Sequence, residues 1–130
     1  MGIRLDESGW PIVVGYWEGT LGEDDLTLAL LSIDRWLERK ERFGLIIDAR
    51  NGGALHPEQR ARLVQHMKAN AELTSRYLIQ AGVLDSLLQR TLFYAVNLLF
   101  PNPFPARVFS TEEPARAWLL EMLGKPAGSD

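Results

Sequence analysis

The sequence predicts a single-domain α/β layer fold. We expect a mostly parallel sheet of four to five strands, an antiparallel hairpin at its edge and about four helices. Segments with strand-like patterns alternate along the chain with segments that carry one apolar stripe at helical spacing. Two of the strand segments, residues 45–49 and 77–84, are apolar on both faces, as in the inner strands of a covered sheet. The length of 130 residues is also close to that of one domain.

The amino-terminal part predicts the hairpin and the first helix. Residues 3–5 alternate in polarity, residues 7–9 form a turn, and residues 10–18 form a second apolar strand. Thr20 and Glu23 then have the spacing of a capping box. The helix that follows carries a single apolar stripe made of Leu26, Leu30, Ile33 and Leu37.

The rest of the chain predicts three more helices and the remaining strands. Pro57 suits the first turn of a second helix, and Asp85 or Ser86 caps a third helix that continues to about Phe100. Residues 106–109 form a short strand, and Ser110 with Glu113 gives a second capping box before the last helix. We assign residues 1–124 to the domain and residues 125–130, rich in Pro, Gly and Ser, to a flexible tail.

Composition excludes several functions. A net charge of -3 and a pI near 5.4 argue against a nucleic-acid binder. The chain has no cysteine, so disulfides, thiol nucleophiles and thiolate metal sites are excluded, and two histidines are a poor metal inventory. No signal-peptide pattern is seen, and the longest apolar stretch, residues 92–100, is too short to span a bilayer. We therefore expect a cytoplasmic protein with no cofactor and no membrane contact.

The order of elements resembles that of a known family. "LIIDAR" at mid-chain, "RYLIQAGVLDS" after it and "FPARVFSTEEPARAWLLEML" near the end resemble STAS-type domains, the anti-sigma-factor-antagonist-like proteins, in their stand-alone branch. The resemblance covers roughly residues 10–123 and implies a scaffold that binds protein partners. In the antagonist branch, the loop after the mid-chain strand carries a serine that is phosphorylated. The matching residues 50–56 contain no Ser, Thr or Tyr, so we expect no phosphorylation switch in this loop.

The loop after the mid-chain strand is the first candidate site. It consists of Asp48, Arg50, Asn51, Gly52, Gly53 and His56. In one interpretation, the glycines adopt positive φ. Their N–H groups then bind an anion together with the start of the following helix and the nearby arginines. In the other, the glycines only turn the chain, and the nearby arginines, Arg50, Arg60 and Arg62, pair with Asp48 or Glu58. Asp48 and His56 also resemble an acid–base pair, but no serine or cysteine nucleophile lies in the loop.

The third helix is the second candidate site. At 100° per residue, Leu88, Leu92, Ala95 and Leu99 face the core, yet apolar residues cover most of the remaining circumference. In one interpretation, a neighbouring helix or the Pro-rich loop covers these apolar residues. In the other, they form an interface that contains Leu87, Arg90, Phe93, Tyr94, Asn97, Phe100 and, in the following loop, an exposed or half-exposed Phe104.

Three functions remain open from the sequence. The first is a non-enzymatic regulatory or scaffolding module that acts by protein–protein binding, with a possible homodimer through the third helix. The second is a carrier of a small apolar ligand, which a pocket lined by Phe93, Phe100 and Trp118 would favour. The third is an enzyme centred on Asp48 and His56.

Overall fold

A computed structural model describes residues 2–99 and 103–125 of the chain, except for the side chains of Leu92 and residues 95–99. Strands and helices alternate along it. The strands are β1 (Gly2–Asp6), β2 (Ile12–Gly19), β3 (Phe43–Gly52), β4 (Leu78–Val83) and β5 (Ala106–Phe109). The helices are α1 (Glu23–Leu37), α2 (Pro57–Ala69), α3 (Ala71–Tyr77), α4 (Leu87–Leu99) and α5 (Glu112–Leu123).

The strands form one mixed sheet in the order β1-β2-β3-β4-β5. β1 pairs antiparallel with β2, and the other neighbours are parallel. Ile46 of β3 lies between Val14 and Ala81, so both edges of this strand are paired with neighbouring strands. The predicted edge hairpin and the inner positions of the two doubly apolar segments are confirmed.

Helices cover both faces of the sheet. On one face, α5 packs over a buried cluster made of Ile12, Val14, Ile46, Ile79, Ala81, Val83, Ala115, Leu119 and Met122. On the other face, α1 covers a second cluster made of Val13, Ile33, Trp36, Leu37, Phe43, Leu45, Leu78 and Phe104. α2 and α3 pack beside α1 on this second face, as expected for right-handed crossovers between parallel strands. The prediction that Phe104 is exposed is wrong, because the ring fills this second cluster and is only 6% exposed.

The helix ends differ from the prediction in three places. The segment 71–77 forms α3, so there are five described helices and β4 begins at Leu78 instead of Tyr77. α1 is capped through Asp25, whose Oδ2 accepts the Gly22 N–H at 2.9 Å, and the Thr20–Glu23 box does not form. α5 begins after Thr111 without a side-chain cap, so the Ser110–Glu113 box is also absent. At α4 the predicted cap is confirmed, because Ser86 Oγ accepts the Gln89 N–H at 3.3 Å.

α2 is attached to α1 mainly by polar contacts. Its one buried residue is Gln59, whose Nε2 donates to the Leu21 carbonyl at 2.8 Å. Further along, Arg62 Nη2 donates to Thr27 Oγ1 at 2.9 Å. His66 Nε2 lies 2.8 Å from Asp34 Oδ1, so the side chain does not point freely to solvent.

The carboxyl terminus is tied down as far as it is described. Arg42 donates to the carbonyl oxygens of Met122 and Lys125 at the end of α5. The remaining residues of the predicted tail, 126–130, lie outside the described residues. Within the described ranges, no helix is long and apolar enough to cross a membrane.

Candidate functional site at the carboxyl edge of the sheet

The two candidate sites meet at one edge of the sheet. β3, β4 and β5 run parallel, so the residues that follow their carboxyl ends lie along the same edge. These residues are the end of β3 with its loop, the start of α4, and the Ser110–Glu112 connection into α5. In open α/β sheets this edge is the usual place for a ligand or a partner.

Asp48 and Arg50 form a closed ion pair. Arg50 Nε donates to Asp48 Oδ1 at 3.0 Å and Nη2 donates to Oδ2 at 2.7 Å. The Asp48 side chain is only 8% exposed. The hydrogen bonds from Arg50 hold the pKa of Asp48 below its usual value, so the carboxylate stays ionised. Asp48 is therefore a structural anion that fixes Arg50, which agrees with the second interpretation of the loop.

Arg50 is also surrounded by negative charge. Its pKa is raised chiefly by its hydrogen bonds with Asp48, and the carboxylates of Asp85 and Glu112 act in the same direction. A guanidinium that already serves one bidentate carboxylate and lies near two others is a weak site for an additional anion.

Packing requires a glycine at position 52, and the backbone of Gly53 takes part in strand pairing. Neither Gly52 nor Gly53 has a positive φ, so the expected left-handed turn is absent. A Cβ at Gly52 would lie 2.9 Å from Cδ2 of the Trp17 indole. The Gly53 N–H donates to the Gly19 carbonyl at 2.9 Å, which extends the β2–β3 pairing beyond the strand ends. This N–H is therefore already engaged, and the anion cradle that the sequence suggested does not form around it.

His56 lies apart from Asp48. It is the N-cap residue of α2, its backbone N–H donates to Gln59 Oε1 at 3.0 Å, and its exposed side chain makes no cap bond. Asp48 shares the α5 side of β3 with Ile46, whereas α2 packs beside α1 on the opposite face. No hydrogen bond joins the two side chains among the described residues. The structure therefore does not bring Asp48 and His56 together. The remaining loop member, Asn51, is exposed at the end of β3, beside Glu18.

A second polar group at this edge was not predicted. Tyr16 Oη donates to the Glu112 carboxylate at 3.4 Å, and Arg116 Nη2 donates to Glu112 Oε1 at 3.0 Å. The Arg4 guanidinium lies 4.2 Å from the centre of the Tyr16 ring. Burial raises the pKa of the Tyr16 hydroxyl, and the charge of Glu112 raises it further. These residues come from β1, β2 and α5. Because they lie far apart in the sequence, no local pattern indicated that they would form one group.

The start of α4 is held by polar contacts to the sheet edge. Gln89 Nε2 donates to the Ala49 carbonyl at 3.4 Å. Arg90 Nη1 donates to Ser110 Oγ at 2.8 Å. Gln89 and Ser110 were not among the predicted site residues, because a lone polar residue on an apolar helix does not indicate its partner.

These contacts set the rotation of α4 and leave one side of it in solvent. We call Leu87, Leu88, Thr91 and Tyr94 the α4 face. Leu87 is 75% exposed, Leu88 67% and Tyr94 53%. The prediction that Leu88 faces the core is wrong, because the inward position is taken by Gln89.

The other predicted interface residues divide into two groups. Phe93 is half-buried and packs edge-to-face against Tyr94, with ring centres 5.7 Å apart. The side chain of Asn97 and the whole of Phe100 lie outside the described residues. Trp118, named for a ligand pocket, lies on α5 and packs against Phe109 at the edge of the α5 cluster. A groove of about 310 Å³ does occur between α1 and α2, beside Leu30, Arg62 and His66, but it is open to solvent.

Comparison with known proteins identifies the fold. No family model matches the sequence, and no curated protein matches it. Among solved structures, the chain is similar to an uncharacterised DUF3478-family protein with a SpoIIAA-like fold from Shewanella loihica PV-4. The TM-score is 0.69, the identity is 15%, and the match covers 91% of this chain and 92% of the other.

The fold is SpoIIAA-like, of the STAS type. The predicted STAS-like architecture is therefore confirmed over nearly the whole chain. At 15% identity the likeness concerns the SpoIIAA-like fold alone, because one fold supports many functions.

Proposed function

We propose that this SpoIIAA-like chain is a non-enzymatic regulatory or scaffolding module of the cytoplasm that binds a protein partner through the α4 face. The observation that carries the proposal is the exposure of Leu87, Leu88 and Tyr94 on one side of one helix. Scattered apolar residues on a surface are ordinary, but a contiguous apolar patch with an aromatic ring is typical of an interaction site.

The state of the polar groups supports a binding role over catalysis. Asp48 is ionised and paired with Arg50, and His56 is the N-cap residue of a helix on the other face of the sheet. The enzyme alternative needs a nucleophile, a base and a group that orients the base, within hydrogen-bond reach of one another. The two residues on which that alternative depended do not meet this condition.

Regulation of the module is proposed to differ from that of the antagonist branch. Residues 50–56 contain no hydroxyl side chain that could be phosphorylated. The rigid Asp48–Arg50 pair and the Gly53–Gly19 hydrogen bond also tie this loop to the sheet. A partner is therefore proposed to bind without a phosphoserine switch at this position.

The test uses two variants at exposed positions, a double change on the α4 face and a single leucine change on α5. Leu88→Ser combined with Tyr94→Ser removes apolar area from the α4 face. Leu120→Ser removes a leucine that is 59% exposed on α5, and it serves as the matched control. Partners retained from native lysate by the immobilised wild type are identified by mass spectrometry, and their affinities for the three proteins are compared.

The α4 double variant is expected to stay folded and to lose binding by roughly thirtyfold or more, since a central apolar anchor contributes about 2 kcal/mol. The Leu120→Ser control is expected to bind like the wild type. Equal binding by the double variant and the wild type would refute the proposal. An enzyme assay that follows the partner or a metabolite extract and detects turnover abolished by Asp48→Asn would restore the enzyme alternative.

A further inference from the structure

Arg90 borders the α4 face. It lies one turn after Leu87 and one turn before Tyr94, so at 100° per residue it is about 40° from Tyr94 around the helix. From this position, we infer that Arg90 selects a partner segment that presents an acidic side chain beside its apolar residues. The inference rests on the proposed function and adds the chemistry of the partner to it.

Arg90 is fixed in place without being neutralised. Its Nη1 donates to Ser110 Oγ at 2.8 Å, and a hydroxyl carries no charge. No carboxylate of the described residues lies within ion-pair distance of its guanidinium. Arg50 differs in this respect, because Asp48 satisfies it through two hydrogen bonds. The Ser110 contact restricts the Arg90 side chain in advance, which reduces the entropy that a partner's carboxylate must overcome.

Arg90 is also the one charge on its helix. Residues 87–99 contain no Asp or Glu, and Arg90 is their one Lys or Arg. The α4 face therefore presents an apolar centre with a cation at its rim, on a protein whose net charge is -3. Charged residues at the rim of an interface act on partner choice and association rate, while the apolar centre gives most of the affinity.

A second copy of the chain fits this surface less well. In a two-fold antiparallel pairing of α4 centred on Thr91, each Arg90 is displaced by one residue from the symmetry axis. Packed helices lie about 8–10 Å apart, so the two guanidinium groups would be within about one Debye length of each other. An acidic partner avoids the repulsion between arginines.

The probe for the test is a displayed library of amphipathic helical peptides. The peptides have an invariant leucine stripe and randomised flanking positions. The library is selected in parallel against the wild type and against Arg90→Glu, with circular dichroism of both proteins to establish that they are folded. Selection by the wild type is expected to enrich Asp and Glu at the flanking positions, and selection by Arg90→Glu to enrich Lys and Arg.

One synthetic peptide from the wild-type selection is then measured alone. It is expected to bind Arg90→Glu on the order of tenfold more weakly than the wild type. Its affinity for Arg90→Gln should be intermediate and should depend less on salt concentration than its affinity for the wild type. The same flanking residues from both selections, or equal affinities for the three proteins, would overturn the inference. A wild-type dimer that Leu88→Ser dissociates would also overturn it, in favour of a second copy as the occupant.

The two levels of the proposal fail in different ways. If the selected peptides lose binding to Leu88→Ser but ignore the charge at position 90, the α4 face stands and the acidic partner is wrong. If they bind Leu88→Ser and the Leu120→Ser control equally well, the α4 face itself is wrong.

Discussion

Replacing Gly44 with alanine should destabilise the protein, although nothing in its backbone requires glycine. Gly44 lies in β3 and has no positive φ. An added Cβ would lie 2.9 Å from Leu119 Cδ1, 3.1 Å from Cδ2 and 3.2 Å from Cβ. Leu119 is 0% exposed within the α5 cluster, so the side chain has no free space into which to move.

The magnitude follows from two opposing effects. The loss of freedom in the unfolded chain when glycine becomes alanine stabilises by about 0.4–1 kcal/mol. Forcing an extra carbon into a close-packed core costs about 1–3 kcal/mol. The net expectation is a decrease of roughly 0.5–2 kcal/mol in the free energy of unfolding, and a decrease of about 2–6 °C in the melting temperature.

Gly82→Ala is the matched control, because Gly82 is a buried glycine in the neighbouring strand β4. An added Cβ there would have its nearest contact at 3.9 Å, to Val108 Cγ2. This variant is expected to be as stable as the wild type or more stable by up to about 1 kcal/mol. Urea denaturation followed by circular dichroism measures both variants.

A double-mutant cycle identifies the contact. Leu119→Ala alone should cost about 2–5 kcal/mol, as for other buried leucines. Combined with Gly44→Ala it should cost less than the sum of the two single changes, because the new methyl group occupies part of the cavity. If Gly44→Ala is as stable as Gly82→Ala, or if the two changes are additive, the close approach of α5 to β3 is wrong.

Two further predictions concern polar groups. Gln59→Ala should lower the free energy of unfolding by about 1–3 kcal/mol, because it leaves the buried Leu21 carbonyl without a partner. Hydrogen exchange should then show that α2 opens before the sheet. Unchanged protection of the α2 amides would contradict this. Stability should also fall on acidification, because two carboxylates have lowered pKa values. Hydrogen bonds from Arg50 lower the pKa of Asp48 from 3.8, and a hydrogen bond from the Trp36 indole is the main cause that lowers the pKa of Glu7 from 4.5. A carboxylate whose pKa is lowered by folding stabilises the fold at pH values above its pKa in the unfolded chain. This contribution is therefore lost as the pH falls below about 4.5. Denaturation at a series of pH values, with Glu7→Gln as a less pH-sensitive variant, measures the effect, and equal slopes for the two proteins would argue against it.

The two halves of the candidate site differed in how far the sequence could predict them. At the loop, a pairing of the nearby arginines with Asp48 or Glu58 was one of two interpretations, and the pair that forms, Asp48 with Arg50, concerns residues close in the chain. The role of Gly52 was not predictable, since the Trp17 ring that excludes a side chain there belongs to another strand. At the third helix, apolar excess was visible in the sequence, but which residues would be exposed was not.

Local periodicity by itself determined the architecture. A strand whose residues are apolar on both faces must lie inside a covered sheet, because exposure of either face would leave apolar area in water. Ile46 and Ala81 satisfied that condition, and both are buried between neighbouring strands. The order of strands and helices then limited the number of possible sheet topologies, since connections between parallel strands are right-handed.

Only the tertiary structure decided the rotation of α4 and the fate of Phe104. A helix that is apolar over most of its circumference has no strong preferred phase, so a few distant contacts choose it. The hydrogen bonds from Gln89 to Ala49 and from Arg90 to Ser110 turn Leu88 outward. Phe104 is buried because α1 and the sheet leave a space at the second core cluster that its ring fills. The phase of a helix and the filling of a core are set by neighbours brought together in space, and the spacing of residues along one segment does not contain that information.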